Sequence, residues 1–279
     1  MGFVLSYSLS IPLDGNTSGQ TIAPFKTRSV PSLERALKIL EMLAHSKKGM
    51  ALPEIARELG LPKSSTHCLL LTLERCGYLQ RHAAAREYLF GFKLFSLANL
   101  SLAGTGLREQ AAPYLQALMA KTRLTVHLAI LEKEDAVLID KIECPGLLRL
   151  STWIGKRMDL HCTGVGKVLM AHLPEDELIR LINDYGLPRH NENTIGSMRK
   201  LKEDLKGIRQ MGYSIDDEED SIGLRCIGVP VWGQEGQVIA AFSLAGTTTQ
   251  ITPENLSGLM TQMKHTSLAI SNKMGFFPS

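Results

Sequence analysis

The stretch LPEIARELGLPKSSTHCLLLTLERCGYL, residues 52–79, decides how the rest of the chain is read. Its spacing predicts a short helix, a tight turn and a longer helix. Pro53 stands where a first helical turn tolerates a missing N–H, Gly60 suits the positive φ of a helix end, and Pro62 can open the next helix. Gly77 closes that second helix. Over residues 63–76, helical spacing gathers Thr66, Leu69, Leu70 and Leu73 on one face, fit to pack against Ile55 and Leu59. The opposite face presents Ser64, His67, Cys68, Leu71 and Arg75, with Lys63 and Ser65 at the entry turn. The pattern is that of a helix-turn-helix at about 51–76.

Upstream, a helix is expected from a Ser32 cap to about His45, with Leu33, Ala36, Leu37, Leu40, Leu43 and Ala44 as its apolar stripe. It should stop in the Lys47-Lys48-Gly49 turn. Downstream, RHAAAREYLF reads as a small hairpin, which makes the motif winged and offers Arg81 and Arg86 to a nucleic-acid backbone. Residues 92–103 are apolar nearly all round, as in a buried linker or dimer helix.

Short hydroxyl side chains at a helix start can bond base edges or phosphates, and the helix N-terminus itself favours phosphate. Leu71 and Cys68 on an outward face fit either a thymine methyl or a local protein contact. Spacing alone also allows a helical pair used only for protein contact. Charge separates the two readings: residues 26–105 hold 12 Lys/Arg against 6 Asp/Glu, while residues 106–279 hold 19 against 21. A small basic module fused to a near-neutral one suggests a polyanion binder with a second task.

The whole chain, 279 residues with 44% hydrophobic and 21% charged, has globular composition and is long enough for two domains. No apolar run approaches the ~20 residues needed to span a bilayer. The opening MGFVLSYSLSIPL has no Lys or Arg and no clear cleavage site, so it does not read as a signal peptide. Five cysteines without CxxC spacing argue against a disulfide framework or a zinc module and for a reducing cytoplasm. Residues 1–28 read as a disordered tail, 29–90 as the winged helix-turn-helix domain, 91–106 as a linker helix and 107–279 as a second domain.

That second domain is expected to open with a helix at 108–123, followed by strands TVHLAILE, AVLIDKIE and LLRLSTWI. Helices follow at about 163–172, 175–185 and 198–211, then strands LRCIGVPVW and QVIAAFSLAG and a final helix after Thr252-Pro253-Glu254. The fold class is α+β, with a GAF/PAS-like, largely antiparallel sheet. Alternation puts Leu224, Cys226, Gly228 and Pro230 on one face of their strand and Ala241, Ser243 and Ala245 on one face of theirs. Such small residues either leave a cavity or pack tightly; Gly164-Val165 at a helix start adds N–H groups suited to a carboxylate.

The run Asp216–Asp220 reads as a solvated acidic loop. His161, Cys162, Cys144 and Cys226 have no spacing that requires a metal, and no metal or other cofactor is expected. His127 reads as a satisfied core or pocket-edge histidine. No base or oxyanion motif accompanies Cys226, so no catalytic residue is assigned.

SLERALKILEML, LPEIARELGLPKSSTHCLLLTLERCGYL and YLFGFKLFSLA resemble the N-terminal domain of the IclR family of bacterial transcriptional regulators. LHCTGVGKVLMAHLP and GYSIDDEEDSIGLRCIGVPVWGQEGQVIAAFSLAG resemble that family's effector domain. The resemblance spans roughly residues 30–272 in order. It implies an operator-binding regulator, dimeric or tetrameric, switched by a small molecule. Its implied effector residues are Gly164, Val165, Asp216, Leu224, Cys226 and Ser243, with Leu147 and Leu150 as apolar wall. Cys68 stands where the family usually has a basic residue, Leu71 where it has a polar one, and Ala245 where acid-binding relatives often have a second serine. These departures bear on operator sequence and effector class, an organic acid or an aromatic metabolite.

The expected function is therefore a cytoplasmic, homo-oligomeric, ligand-responsive DNA-binding regulator that is not an enzyme and has no membrane partner. A palindromic double-stranded operator and a small metabolite are its partners. The alternatives are a cysteine-dependent small-molecule enzyme domain fused to a DNA-binding domain, and a ligand-blind architectural protein.

Overall fold

A computed structural model describes residues 30–46, 48–82, 86–103, 106–146 and 150–277. The expected tail at 1–28 and Leu147 lie outside the described residues. The chain forms two compact units that part between Phe95 and Ser96. Among the described residues no helix is long and apolar enough to cross a membrane.

The first unit runs α1 (Pro31–His45), β1 (Met50–Ala51), α2 (Leu52–Leu59), α3 (Lys63–Arg75), β2 (Leu79–His82) and β3 (Glu87–Phe90). Gly60, at φ 64°, ends α2 in the left-handed region, and Thr66 Oγ1 donates back to the Pro62 carbonyl at 3.1 Å. Ile39, Leu43, Met50, Ile55, Leu70, Leu73, Leu79 and Tyr88 make one core. Two expectations fail on α1. Val30 holds the N-cap position with Pro31 just inside, in place of Ser32. The buried meridian runs through Ile39 and Leu43, leaving Leu33 and Leu37 57% and 51% exposed. Both meridians satisfy i, i+3/i+4 spacing; the contact with α3 selects between them.

The hairpin carries a third strand: β1 pairs antiparallel with β3, Met50 opposite Tyr88, in the order β1-β3-β2. Two residues are too few to show alternation. Helix α4 follows at Phe92–Ala103, as its apolar pattern predicts.

The second unit is built on one six-stranded sheet. It contains α5 (Leu107–Thr122), β4 (Thr125–Glu132), β5 (Asp135–Ile142), β6 (Arg157–Met158), α6 (Gly164–Ala171), α7 (Glu175–Tyr185) and α8 (Met198–Met211). Then come β7 (Ser214–Asp217), β8 (Leu224–Trp232), β9 (Val238–Thr247) and α9 (Pro253–Lys273). The order is β6-β5-β4-β9-β8-β7, every neighbour antiparallel. Alternation sends Val126, Leu128, Ile227, Val229, Phe242 and Leu244 into a core with α5 and α9. Ala129, Ala136 and Ala241 face α6, α7 and α8. Burying one helical layer on each face is the sheet's way of removing both apolar surfaces from water.

Two readings are corrected here. LLRLSTWI is not a strand over its described part: residues 150–156 turn, Trp153 and Ile154 are 61% and 45% exposed, and the edge of β5 is taken by Arg157–Met158. Apolar content alone does not make a strand: the Lys141 ammonium binds the Leu150 and Thr152 carbonyls, and the segment turns at 153–156 before two residues pair with β5. Conversely, part of the acidic run is strand β7, paired Asp216 to Cys226.

Candidate functional site

On α3 the two faces separate cleanly. Thr66, Leu70 and Leu73 are buried, while Lys63, Ser64, Ser65, His67, Cys68, Leu71 and Arg75 are all exposed. The first turn of α3 contains no acidic residue, so its free N–H groups and Lys63 present positive charge to an incoming anion. Thr72, which sequence reading passed over, lies on the same face as Cys68 and Arg75 and donates to the Cys68 carbonyl at 2.8 Å. On the hairpin, Arg81 lies over the Tyr88 ring at 5.9 Å, and Arg86 is exposed at φ 55°.

In the second unit, register brings the expected side chains into rows on the α6 side of the sheet. One row runs Asp216, Cys226, Ala245, Thr125; the next runs Ser214, Gly228, Ser243, His127, Lys141. His127 therefore stands beside Ser243, a juxtaposition that alternation on β4 hinted at and only register supplies. Its Nε2 meets Thr152 Oγ1 at 2.9 Å. Burial first, then Lys141 and Lys156, lower its pKa to about 4, so the ring is neutral at physiological pH. Lys141 Nζ donates to the carbonyls of Leu150 and Thr152 at 3.0 and 2.9 Å, pinning residues 150–152 beside this face.

The small residues make less room than their sizes suggest. A Cβ on Gly228 would sit 2.2 Å from the Gly164 carbonyl oxygen and 2.6 Å from Ser214 Oγ. The first turn of α6 thus lies backbone to backbone on β8, and Ser214 Oγ donates to the Gly164 carbonyl at 2.6 Å. Val165 is buried in the core that includes residues of α7 and α8. Gly164, Asp216, Cys226 and Ser243 converge; Leu224 sits two register steps further out on β8, opposite Thr247, and Leu150 is held through its backbone.

The acidic run is not a solvated loop. Lys167, 1% exposed, binds Glu219, Asp204 at 3.1 Å and the Ile215 carbonyl. Asp216 accepts the N–H of Glu219 at 2.9 Å. Burial raises Asp216 to about 6 and Glu219 to about 7, against the lowering effect of Lys167. Burial also pushes the Cys226 thiol up, and Asp216 adds to it, so it stays protonated.

An exposed helix-turn-helix face on one unit and a polar sheet face enclosed by helices on the other define a two-domain, DNA-binding, ligand-responsive transcription regulator. The model of the IclR helix-turn-helix domain matches residues 32–83, and that of the bacterial transcriptional regulator IclR C-terminal matches residues 99–272. The chain belongs to the IclR family. It is 34% identical over 247 residues to the HTH-type transcriptional regulator XynR of Escherichia coli, covering 88% of this chain and 98% of that protein. It is 35% identical over 233 residues to the transcriptional repressor IclR of the same organism, 83% and 85% of the two chains. The crystal structure of the Thermotoga maritima IclR is similar at a TM-score of 0.77 and 30% identity, over 88% of this chain and 99% of that one.

Proposed function

We propose that this chain works in the cytoplasm as a homodimer or tetramer that sets one α3 into each half of a palindromic operator. The domains divide at 29–90, 91–106 and 107–279. Lys63, Ser64, Ser65, His67, Cys68, Leu71 and Arg75 approach bases and phosphates, and Arg81 and Arg86 follow the backbone. The observation that carries this reading is α3 itself, with a buried underside and an unbroken exposed row that begins at an acid-free first turn.

The effector is a small organic molecule that meets Gly164, Asp216, Cys226 and Ser243, with Leu147, Leu150, Val165 and Leu224 around them. His127 and Thr152 join them in this proposal. Binding must favour one arrangement of the paired DNA-binding units, and a coupling of about 1–3 kcal/mol gives several-fold to hundred-fold switching. In this reading the protein senses its effector without turning it over, and burial, with Asp216 beside it, keeps the Cys226 thiol protonated rather than as a nucleophilic thiolate.

The test is fluorescence anisotropy on a labelled fragment from upstream of the gene, at two salt concentrations, with unlabelled random DNA as competitor. Tight binding that survives the competitor supports a specific regulator. Absence of binding at both salts refutes operator recognition in that fragment.

A further inference from the structure

Sequence reading assigns no metal, and among the described residues the set weighed for one, His161, Cys162, Cys144 and Cys226, makes no cluster of three ligands. A different set does. Asp159, Cys162 and His190 place a carboxylate oxygen, a sulfur and an imidazole nitrogen all within 4.8 Å of one another. We propose that these three side chains form a binding site for a borderline-soft divalent cation of the zinc class.

The donor set selects the ion. One sulfur, one nitrogen and one carboxylate oxygen suit zinc or cobalt and disfavour magnesium or calcium, which take oxygen alone. Ligand atoms ~2.0–2.3 Å from a tetrahedral ion lie roughly 3.3–3.7 Å apart. His190 Nε2 and Asp159 Oδ2 stand at 2.9 Å and need to open by a few tenths of an ångström, and the sulfur lies within 4.8 Å of both. The exposed His190 side chain can make that adjustment. An aspartate–histidine pair by itself accounts for two of the three groups. It does not account for a fully buried sulfur within reach of both.

The backbone around the three is held from both sides, as ligand-bearing segments are in metal sites. Thr163 Oγ1 donates to the Asp159 carbonyl at 2.7 Å and accepts the Gly166 N–H at the start of α6. Thr194 Oγ1 accepts the N–H groups of His190 and Asn191 at 3.2 and 3.1 Å and donates to the Glu219 carbonyl at 2.7 Å. His161 Nε2 meets the Pro188 carbonyl at 2.9 Å and its ring stacks on His190, joining the two segments.

The field favours a cation as well. Burial first, and then Asp220, Asp159, Asp216 and Glu219, hold the Cys162 thiol protonated in the metal-free protein; the same four carboxyl groups favour a cation there, and Lys167 is paired with Glu219 and Asp204. A dication binding there releases the thiol proton to solvent and leaves a metal thiolate. Its fourth position falls on the solvent side, where Asp159 and His190 are 39% and 35% exposed, and is filled by water. Cys162 is two residues from Gly164, so an ion here would also fix the chain where it enters the turn of α6 that lies on Cys226 and Gly228.

The experiment titrates the full chain, stripped of metal and reduced with a non-coordinating phosphine, with Co2+ and then Zn2+. The expected result is one Co2+ per chain with a thiolate-to-cobalt charge-transfer band, displaced by Zn2+. Cys162→Ser should remove the band, and His190→Ala should weaken Zn2+ binding at least tenfold while the metal-free protein still melts cooperatively. No charge-transfer band overturns the site. So does a band that survives Cys162→Ser, since Cys68, Cys76 or Cys144 would then be its source, or an affinity indifferent to His190→Ala.

Discussion

Two lysines near the starts of two helices show how differently the two units use charge. Lys63 opens α3, exposed among Ser64, Ser65 and His67, its helix end free for an anion from outside. Lys167 sits in α6 at 1% exposure, its ammonium consumed by Glu219, Asp204 and the Ile215 carbonyl. The first charge is available to a partner; the second is spent on holding the acidic strand end against α6. Residue type is the same in both places, and burial alone decides whether the charge serves recognition or architecture.

The comparison breaks most sharply with one substitution made twice. Lys167→Met leaves Glu219 buried without its counter-charge and should cost the second unit about 3–5 kcal/mol, read by urea denaturation. Lys63→Met should change stability by less than about 0.5 kcal/mol. Equal losses would mean that the buried cluster is not what holds α6. Next in size is Gly228→Ala, whose Cβ meets backbone and should cost about 1–3 kcal/mol or more. Gly60→Ala has open space and pays only for φ 64°, about 1 kcal/mol.

A pH series sharpens the same contrast. Asp216 and Glu219 have folded-state pKa values raised to about 6 and about 7, so the folded state holds their protons more tightly than the unfolded chain does. Their contribution is complete below the ordinary carboxylate range near pH 4 and is lost as pH rises toward 7. His127, lowered to about 4, acts oppositely: its contribution is present above 6.5 and lost as pH falls toward 4. Asp216→Asn should therefore flatten the decline in melting temperature between about pH 4 and 6, the interval between the ordinary carboxylate value and the raised one. A slope unchanged by that substitution would remove Asp216 from the account. The smallest effect is on salt dependence: Lys63→Ala or Arg75→Ala should each reduce the slope of log K against log salt by about 0.9 if the side chain meets a phosphate, with the fold intact.

Local signals carried much of the fold. The turn at Gly60, Leu61 and Pro62, the bounds of α7 and α8, and strand β8 at 224–232 all stand where spacing places them. These segments are long or punctuated by Gly and Pro, so their own periodicity suffices. Strand β1 and the meridian of α1 were not legible, because a two-residue strand has no period and two helix faces met the same spacing. LLRLSTWI failed for the reverse reason: its apolar run suggested a strand, but over its described part the backbone carbonyls of Leu150 and Thr152 go to the Lys141 ammonium instead of a ladder.

The candidate effector face was half legible. Alternation placed Cys226 with Gly228 and Ser243 with Ala245 on shared faces. It did not place His127 beside Ser243 or Asp216 beside Cys226, since those pairs come from separate strands brought into register. The sequence by itself determined the two-module plan, the exposed row of α3 and the family, because each rests on residues close together along the chain. Only the tertiary structure decided that Asp216 and Glu219 are buried around Lys167, that Gly164 and Gly228 meet, and that Asp159, Cys162 and His190 converge. Those contacts join residues tens of positions apart, and both the sign and the size of their energies depend on the water that folding excludes.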